Sequence, residues 1–253
     1  MDNLSYLFQE QEVYNLAEIM SKSGNKRLIT DIAISKIPYV AYPDCDAQQS
    51  LILHELGEHL LKLSKQKNNS DEISVTINIK ENNKIIDGMD KILQKVGLCY
   101  GTKDETLLFS DPLTMHLVRG ATDIAVVNLH NHPSCSPHST LDLSFFLRES
   151  AVKMMIILGN NGELYYLSKT EKYNHDLARR YLTQAAYVVK PNVKETDKFT
   201  AMELRQVADL FLKNCYQFGI EYNHVLGTNR FLEETKNEIL NNNIEEEDID
   251  YDR

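Results

Sequence analysis

The sequence predicts an α/β protein, and three observations carry that prediction. Ile124-Ala125-Val126-Val127-Asn128-Leu129 is a short, β-branched-rich apolar run bounded by turn residues, the pattern of a buried strand. Glu72 to Lys80 alternates Ile73, Val75, Ile77 and Ile79 with Ser74, Thr76 and Asn78, the pattern of a half-buried strand. Between and after these lie stretches of helical period, above all Asp46 to Ser64 with Leu51, Ile52, Leu56, Leu60, Leu61 and Leu63.

Taken in order, Asn3 to Ser23 carries Leu4, Leu7, Val13, Leu16, Ile19 and Met20 at roughly helical spacing and predicts one or two short helices. Gly24 to Arg27 is a break. Leu28 to Val40 is apolar but irregular, and either a helix or a short strand fits it. After the 46–64 helix, Lys65 to Ser70 reads as a polar loop. Ile85-Ile86 fits a short return strand, Met89 to Val96 a helical turn or two, and Thr106 to Phe109 another short strand. Asp111-Pro112 opens a helix, because Asp caps free N–H groups and Pro lacks one. Gly120 ends it. A helix over Thr140 to Ser150 leads to a strand at Val152 to Leu158. Gly159-Asn160-Asn161-Gly162 turns the chain into a partner strand, Glu163 to Leu167. Helices follow at Asp176 to Val188 and Ala201 to Cys215, and Gly219 breaks the second. Asn241 to Arg253, with Glu245-Glu246-Glu247-Asp248, reads as a solvated, disordered acidic tail.

The balance of 42% hydrophobic and 25% charged residues is that of a globular chain able to build a core. A net charge of −10 argues against an extended basic surface for nucleic acid. Cys45, Cys99, Cys135 and Cys215 are far apart with no CxxC pair, and read as free thiols of a reducing compartment. The N-terminus has no signal-peptide core, and no window approaches the roughly 18 apolar residues of a membrane span. A soluble, cytoplasmic protein is the expectation.

The chemistry concentrates after the first strand, in His130-Asn131-His132-Pro133-Ser134 followed by Ser139-Thr140-Leu141-Asp142. Residues two apart on a strand share a face, so His130 and His132 project together, and Pro133 stops the strand. With Asp142 from the first turn of the next helix they make three ligands for a tetrahedral zinc with one open position. Ser139-x-x-Asp142 also has the pattern of a helix capping box, and the two roles can coexist. Ser139 could donate a hydrogen bond to a developing oxyanion. His54-Glu55-Leu56-Gly57-Glu58-His59 is no zincin motif. Its histidines are five apart, which on a helix turns them about 140° away from each other. His116 reads as a surface or core-edge residue.

His130-Asn131-His132-Pro133-Ser134 with Ser139-x-x-Asp142 resembles the JAMM motif of the JAB/MPN metalloproteases, in the form found in the RadC-like bacterial branch. The resemblance covers about Ser70 to Ser168. The loop before Ser139 is one residue shorter than the family pattern, and Cys135 stands where RadC-like loops commonly have Gly. The resemblance implies a curved mixed sheet flanked by helices, with helical extensions at both ends. It divides the chain into a helical extension over 1–69, a JAB/MPN-like catalytic core over 70–170, C-terminal helices over 171–232 and the acidic tail over 233–253. It implies Zn2+ held by His130, His132 and Asp142, with Ser139 as oxyanion stabiliser. The family places a catalytic Glu near the first strand, and Glu72 is that residue here, with Glu55 and Glu58 as the fallback. Cys135 and His138 read as loop residues. The implied activity is a metallohydrolase cleaving a peptide or isopeptide bond, with a peptide or ubiquitin-like protein as substrate. The alternatives are a non-catalytic scaffold of the same fold and a nucleic-acid-associated factor, the latter disfavoured by the charge.

Overall fold

The computed structural model describes residues 26–81, 89–193 and 197–227. Its centre is one six-stranded mixed sheet in the order β2-β1-β3-β4-β5-β6. The strands are β1 (Ile73–Asn78), β2 (Gly97–Tyr100), β3 (Val126–His132), β4 (Val152–Gly159), β5 (Leu164–Lys169) and β6 (Ile220–Val225). All neighbours are antiparallel except β3 and β4, which run parallel. A parallel pair needs a crossover, and α5 (Thr140–Arg148) supplies it. The remaining helices are α1 (Asp31–Ile34), α2 (Ala47–Lys67), α3 (Met89–Leu93), α4 (Pro112–Arg119), α6 (His175–Val189) and α7 (Ala201–Asn214). The α/β class and the helix-flanked sheet are as the sequence predicts.

Each face of the sheet carries its own core. On one face, Leu53, Leu56 and Leu60 of α2 pack with Val75, Ile77, Leu129, Ile156 and Leu158. Gly57 lets α2 sit close, since a Cβ there would lie 3.1 Å from Leu158 Cδ1. On the other face, Val126, Met155 and Leu167 meet Phe146 of α5, Ala185 of α6 and Phe211 of α7. The helix starts follow the capping residues of the sequence. Asp46 and Gln49 form a capping box on α2. Asp111 accepts from the Thr114 N–H at 2.6 Å with Pro112 at the first helical position.

Several expectations need correction. The histidine strand begins at Val126 rather than Ile124 and runs on through His132. It does so because β4 pairs with it as far as His132↔Gly159. Ser74, Thr76 and Asn78 are buried, not solvated, so β1 is covered on both faces. Thr106 to Phe109 forms no strand; a 3-10 turn occupies Leu108–Ser110. Of the two alternatives open for Leu28 to Val40, the helix is the one present, as the short α1. β2 and β6 were not legible: both are short edge strands, and β6 has the polar sequence Ile-Glu-Tyr-Asn-His-Val. β6 brings part of the 171–232 segment into the sheet itself. It follows Gly219, whose φ of +72° ends the preceding turn in the left-handed region. The expected helices at 3–23, the Ile85-Ile86 strand and the acidic tail lie outside the described residues. The four cysteines are free thiols. No helix among the described residues is long and apolar enough to cross a membrane.

Candidate metal centre

His130 and His132 leave the C-terminal end of β3 on one face, and Asp142 reaches them from the first turn of α5. His130 Nε2 lies 3.1 Å from His132 Nε2 and 3.2 Å from Asp142 Oδ1. His132 Nε2 lies 3.5 Å from Asp142 Oδ2. Among the described residues this is the one cluster of three or more His, Cys, Asp or Glu side chains with ligand atoms mutually close enough for a metal ion.

The hydrogen bonds behind the rings fix their tautomers. His130 Nδ1 faces Asn128 Oδ1 at 3.1 Å, and His132 Nδ1 faces the Ser136 carbonyl at 2.8 Å. Both oxygens only accept, so both Nδ1 atoms donate; His132 Nε2 presents a lone pair inward, and His130 Nε2 does so once the proton it shares with Asp142 is lost. Asp142 adds a third acceptor. Three acceptors turned on one another repel unless a cation lies among them. Zinc–ligand bonds of about 2.0–2.1 Å in tetrahedral geometry place ligand atoms about 3.3 Å apart. The His130–His132 separation of 3.1 Å and the His130–Asp142 Oδ1 separation of 3.2 Å lie close to that spacing, and one ligand atom from each of the three residues lies within 4.8 Å of the other two. The residues therefore fit a zinc ion.

The same cluster sets the local electrostatics. Burial opposes charge on His130, but the Asp142 carboxylate, by charge and hydrogen bond, and then Glu72 outweigh it and raise the imidazole pKa. Burial pulls His132 down to about 4, against the attraction of Asp142. Burial also works against the Asp142 carboxylate, yet His130 chiefly, with His132 and His138, holds it well below the usual range.

Asp142 divides its oxygens. Oδ2 accepts from the Ser139 N–H and from the Ser139 hydroxyl, each at 2.6 Å, leaving Oδ1 toward His130. The capping box and the candidate ligand are thus one arrangement: the helix N-terminus aims the carboxylate. The Ser139 hydroxyl is engaged with Asp142 and reaches an oxyanion only by turning away from it.

Glu72 immediately precedes β1. The β1–β3 register begins at Ser74↔His130, and Glu72, two residues before Ser74, lies on the Ser74 side of the chain, where its carboxylate acts on His130. Glu72 is buried, and burial pushes its carboxyl up to about 7, with His130 opposing and Asp142 adding to the rise. A metal cation nearby would lower it. Asn131, between the two histidines but on the opposite face, grips the chain on either side of Glu72. Its Oδ1 accepts from the Ile73 N–H at 2.8 Å, and its Nδ2 donates to the Asp71 carbonyl at 3.2 Å. Nδ2 also donates to Asn160 Oδ1 at 2.8 Å, and Asn160 binds the Arg27 and Ser70 carbonyls.

Other candidate residues lie outside the ligand cluster. Cys135 sits in a left-handed turn, with φ +57°, and its thiol is pushed up by burial. His138 is buried rather than an open loop residue, its Nε2 3.3 Å from the Met155 carbonyl, and burial pulls it down to about 3. Glu55 and Glu58 lie on α2, which packs on the face of the sheet away from the histidines. There Glu58 Oε1 is 3.7 Å from His54 Nε2. Reading the sequence missed Asn128, although a lone amide inside the apolar run 124–129 was its visible signal.

No protein-family model, curated protein or solved structure matches this chain.

Proposed function

We propose that this protein is a zinc-dependent metallohydrolase of peptide or isopeptide bonds, with a JAB/MPN-like core. The observation that carries the reading is the cluster of inward-facing ligand atoms of His130, His132 and Asp142, with Glu72 just before the neighbouring strand and acting on His130. His130, His132 and Asp142 would hold the ion. When bound, zinc supplies Lewis acidity, polarising a carbonyl and acidifying water toward neutral pH. Glu72 then accepts the proton of the attacking water on its carboxylate and delivers it to the leaving amine. Burial holds the carboxyl near 7 in the metal-free fold, and a bound cation would lower it toward the ionised form that accepts the proton. Ser139 orients Asp142 and, on turning, donates its hydroxyl to the developing oxyanion. A peptide or ubiquitin-like tail is the corresponding substrate.

Metal analysis of the full chain, purified without chelators, tests the reading. Wild type is expected to carry about one zinc per chain and His132→Ala far less. A wild type that neither carries nor takes up zinc overturns the proposal. The engagement of the Ser139 hydroxyl with Asp142 favours a second reading, a zinc-holding scaffold without turnover. Zinc-loaded protein that fails to cleave any of a panel of isopeptide-linked probes would select the scaffold.

A further inference from the structure

The middle of β3 carries a polar chain in an otherwise apolar layer. Asn128 is fully buried, flanked along the strand by Val127 and Leu129 and paired across it with Met155. Its Nδ2 donates to Ser74 Oγ at 2.8 Å and to Thr76 Oγ1 at 3.0 Å, both on β1 and both buried. That leaves Oδ1 a single direction, toward His130 Nδ1 at 3.1 Å. A Val or Leu here would extend the core without burying an amide, whose desolvation is costly when it is unpaired. The amide is instead fully partnered, and its acceptor meets the one nitrogen of His130 that does not face the ligand triangle.

We infer that Asn128 is a positioning residue for the metal site, held by Ser74 and Thr76 so that its carbonyl fixes the His130 ring and tautomer for ligation. Partners of this kind behind ligating histidines raise the basicity of the ligand nitrogen and restrict its rotation. The two hydroxyls hold the amide in its useful orientation: reversed, it would place an N–H against the His130 proton. β1 thus serves the site twice, through Glu72 at its start and through this chain of hydrogen bonds at its middle. The inference rests on the zinc reading above.

Zinc affinity of the full chain, measured against a competing chromophoric chelator, tests it, with the cobalt(II) absorption spectrum as a second readout. Asn128→Leu, which removes the acceptor, is expected to weaken zinc about 10–100-fold. Its cobalt spectrum is expected to shift. Asn128→Asp keeps an acceptor and is expected to stay within about threefold of wild type. Ser74→Ala/Thr76→Val, which frees the amide to rotate, is expected to fall between them, and carries the test should Asn128→Leu not fold. Equal losses in Asn128→Leu and Asn128→Asp, or none in Asn128→Leu, overturn the positioning role while leaving the zinc reading intact. No zinc uptake by wild type overturns both.

Discussion

Burial gives the Glu72 carboxylate two opposed consequences. It raises the pKa to about 7, which suits proton transfer, and it makes the ionised form costly inside the metal-free fold. A carboxyl whose folded pKa lies above its unfolded value of 4.5 contributes stability fully present below that value. The contribution is lost as pH rises through about 7. Metal-free wild type is therefore expected to lose about 2–3 kcal/mol between pH 5 and pH 8 through this group. Glu72→Gln removes that loss, and chemical unfolding of the metal-free proteins at the two pH values checks it. The same variant is expected to keep its zinc and to cleave about 10²–10⁴-fold more slowly. The convergence of His130, His132 and Asp142 was readable because strand period and capping pattern each fix a direction in space. Asn128 was not, because its partners Ser74 and Thr76 lie more than fifty residues away in sequence.

At the scale of elements, the decisive contact is β1 against β3. Asn131 locks the start of that pairing by replacing sheet hydrogen bonds with its own amide on both sides of Glu72. Asn131→Ala strands the Ile73 N–H and one acceptor of Asn160 in the interior. A loss of about 2–4 kcal/mol is expected, seen as a lower urea midpoint at unchanged slope. Zinc content is expected to survive, since Asn131 touches no ligand atom. Helices and central strands were legible from period and caps. The edge strands were not, because β2 and β6 are held by pairing with β1 and β5 rather than by any pattern of their own.

Across the described residues, the sheet gathers strands from Ile73 to Val225, and its last strand, β6, comes from the segment after residue 171. A chain ending at Thr170 would lose β6, α6 and α7 and uncover Met155, Leu167, Phe146 and Leu147. Such a truncation is expected to aggregate or to unfold without cooperativity in thermal scans; a cooperatively folded fragment would show that 70–170 stands alone. The triangle of acceptors also has a consequence for the protein as a thermodynamic system. With no ion bound, a proton shared between His130 and Asp142 is the charge that quiets their mutual repulsion. On the zinc reading, proton and metal would compete for one seat, and loading the metal would expel the proton into the buffer. Titration calorimetry is expected to return different apparent heats of zinc binding in phosphate and in Tris near neutral pH. The difference, divided by that in buffer ionisation heat, is expected to give at least about one proton per ion, from His130 with a further share from Glu72. The protein would then hold its metal more tightly as its surroundings become more alkaline.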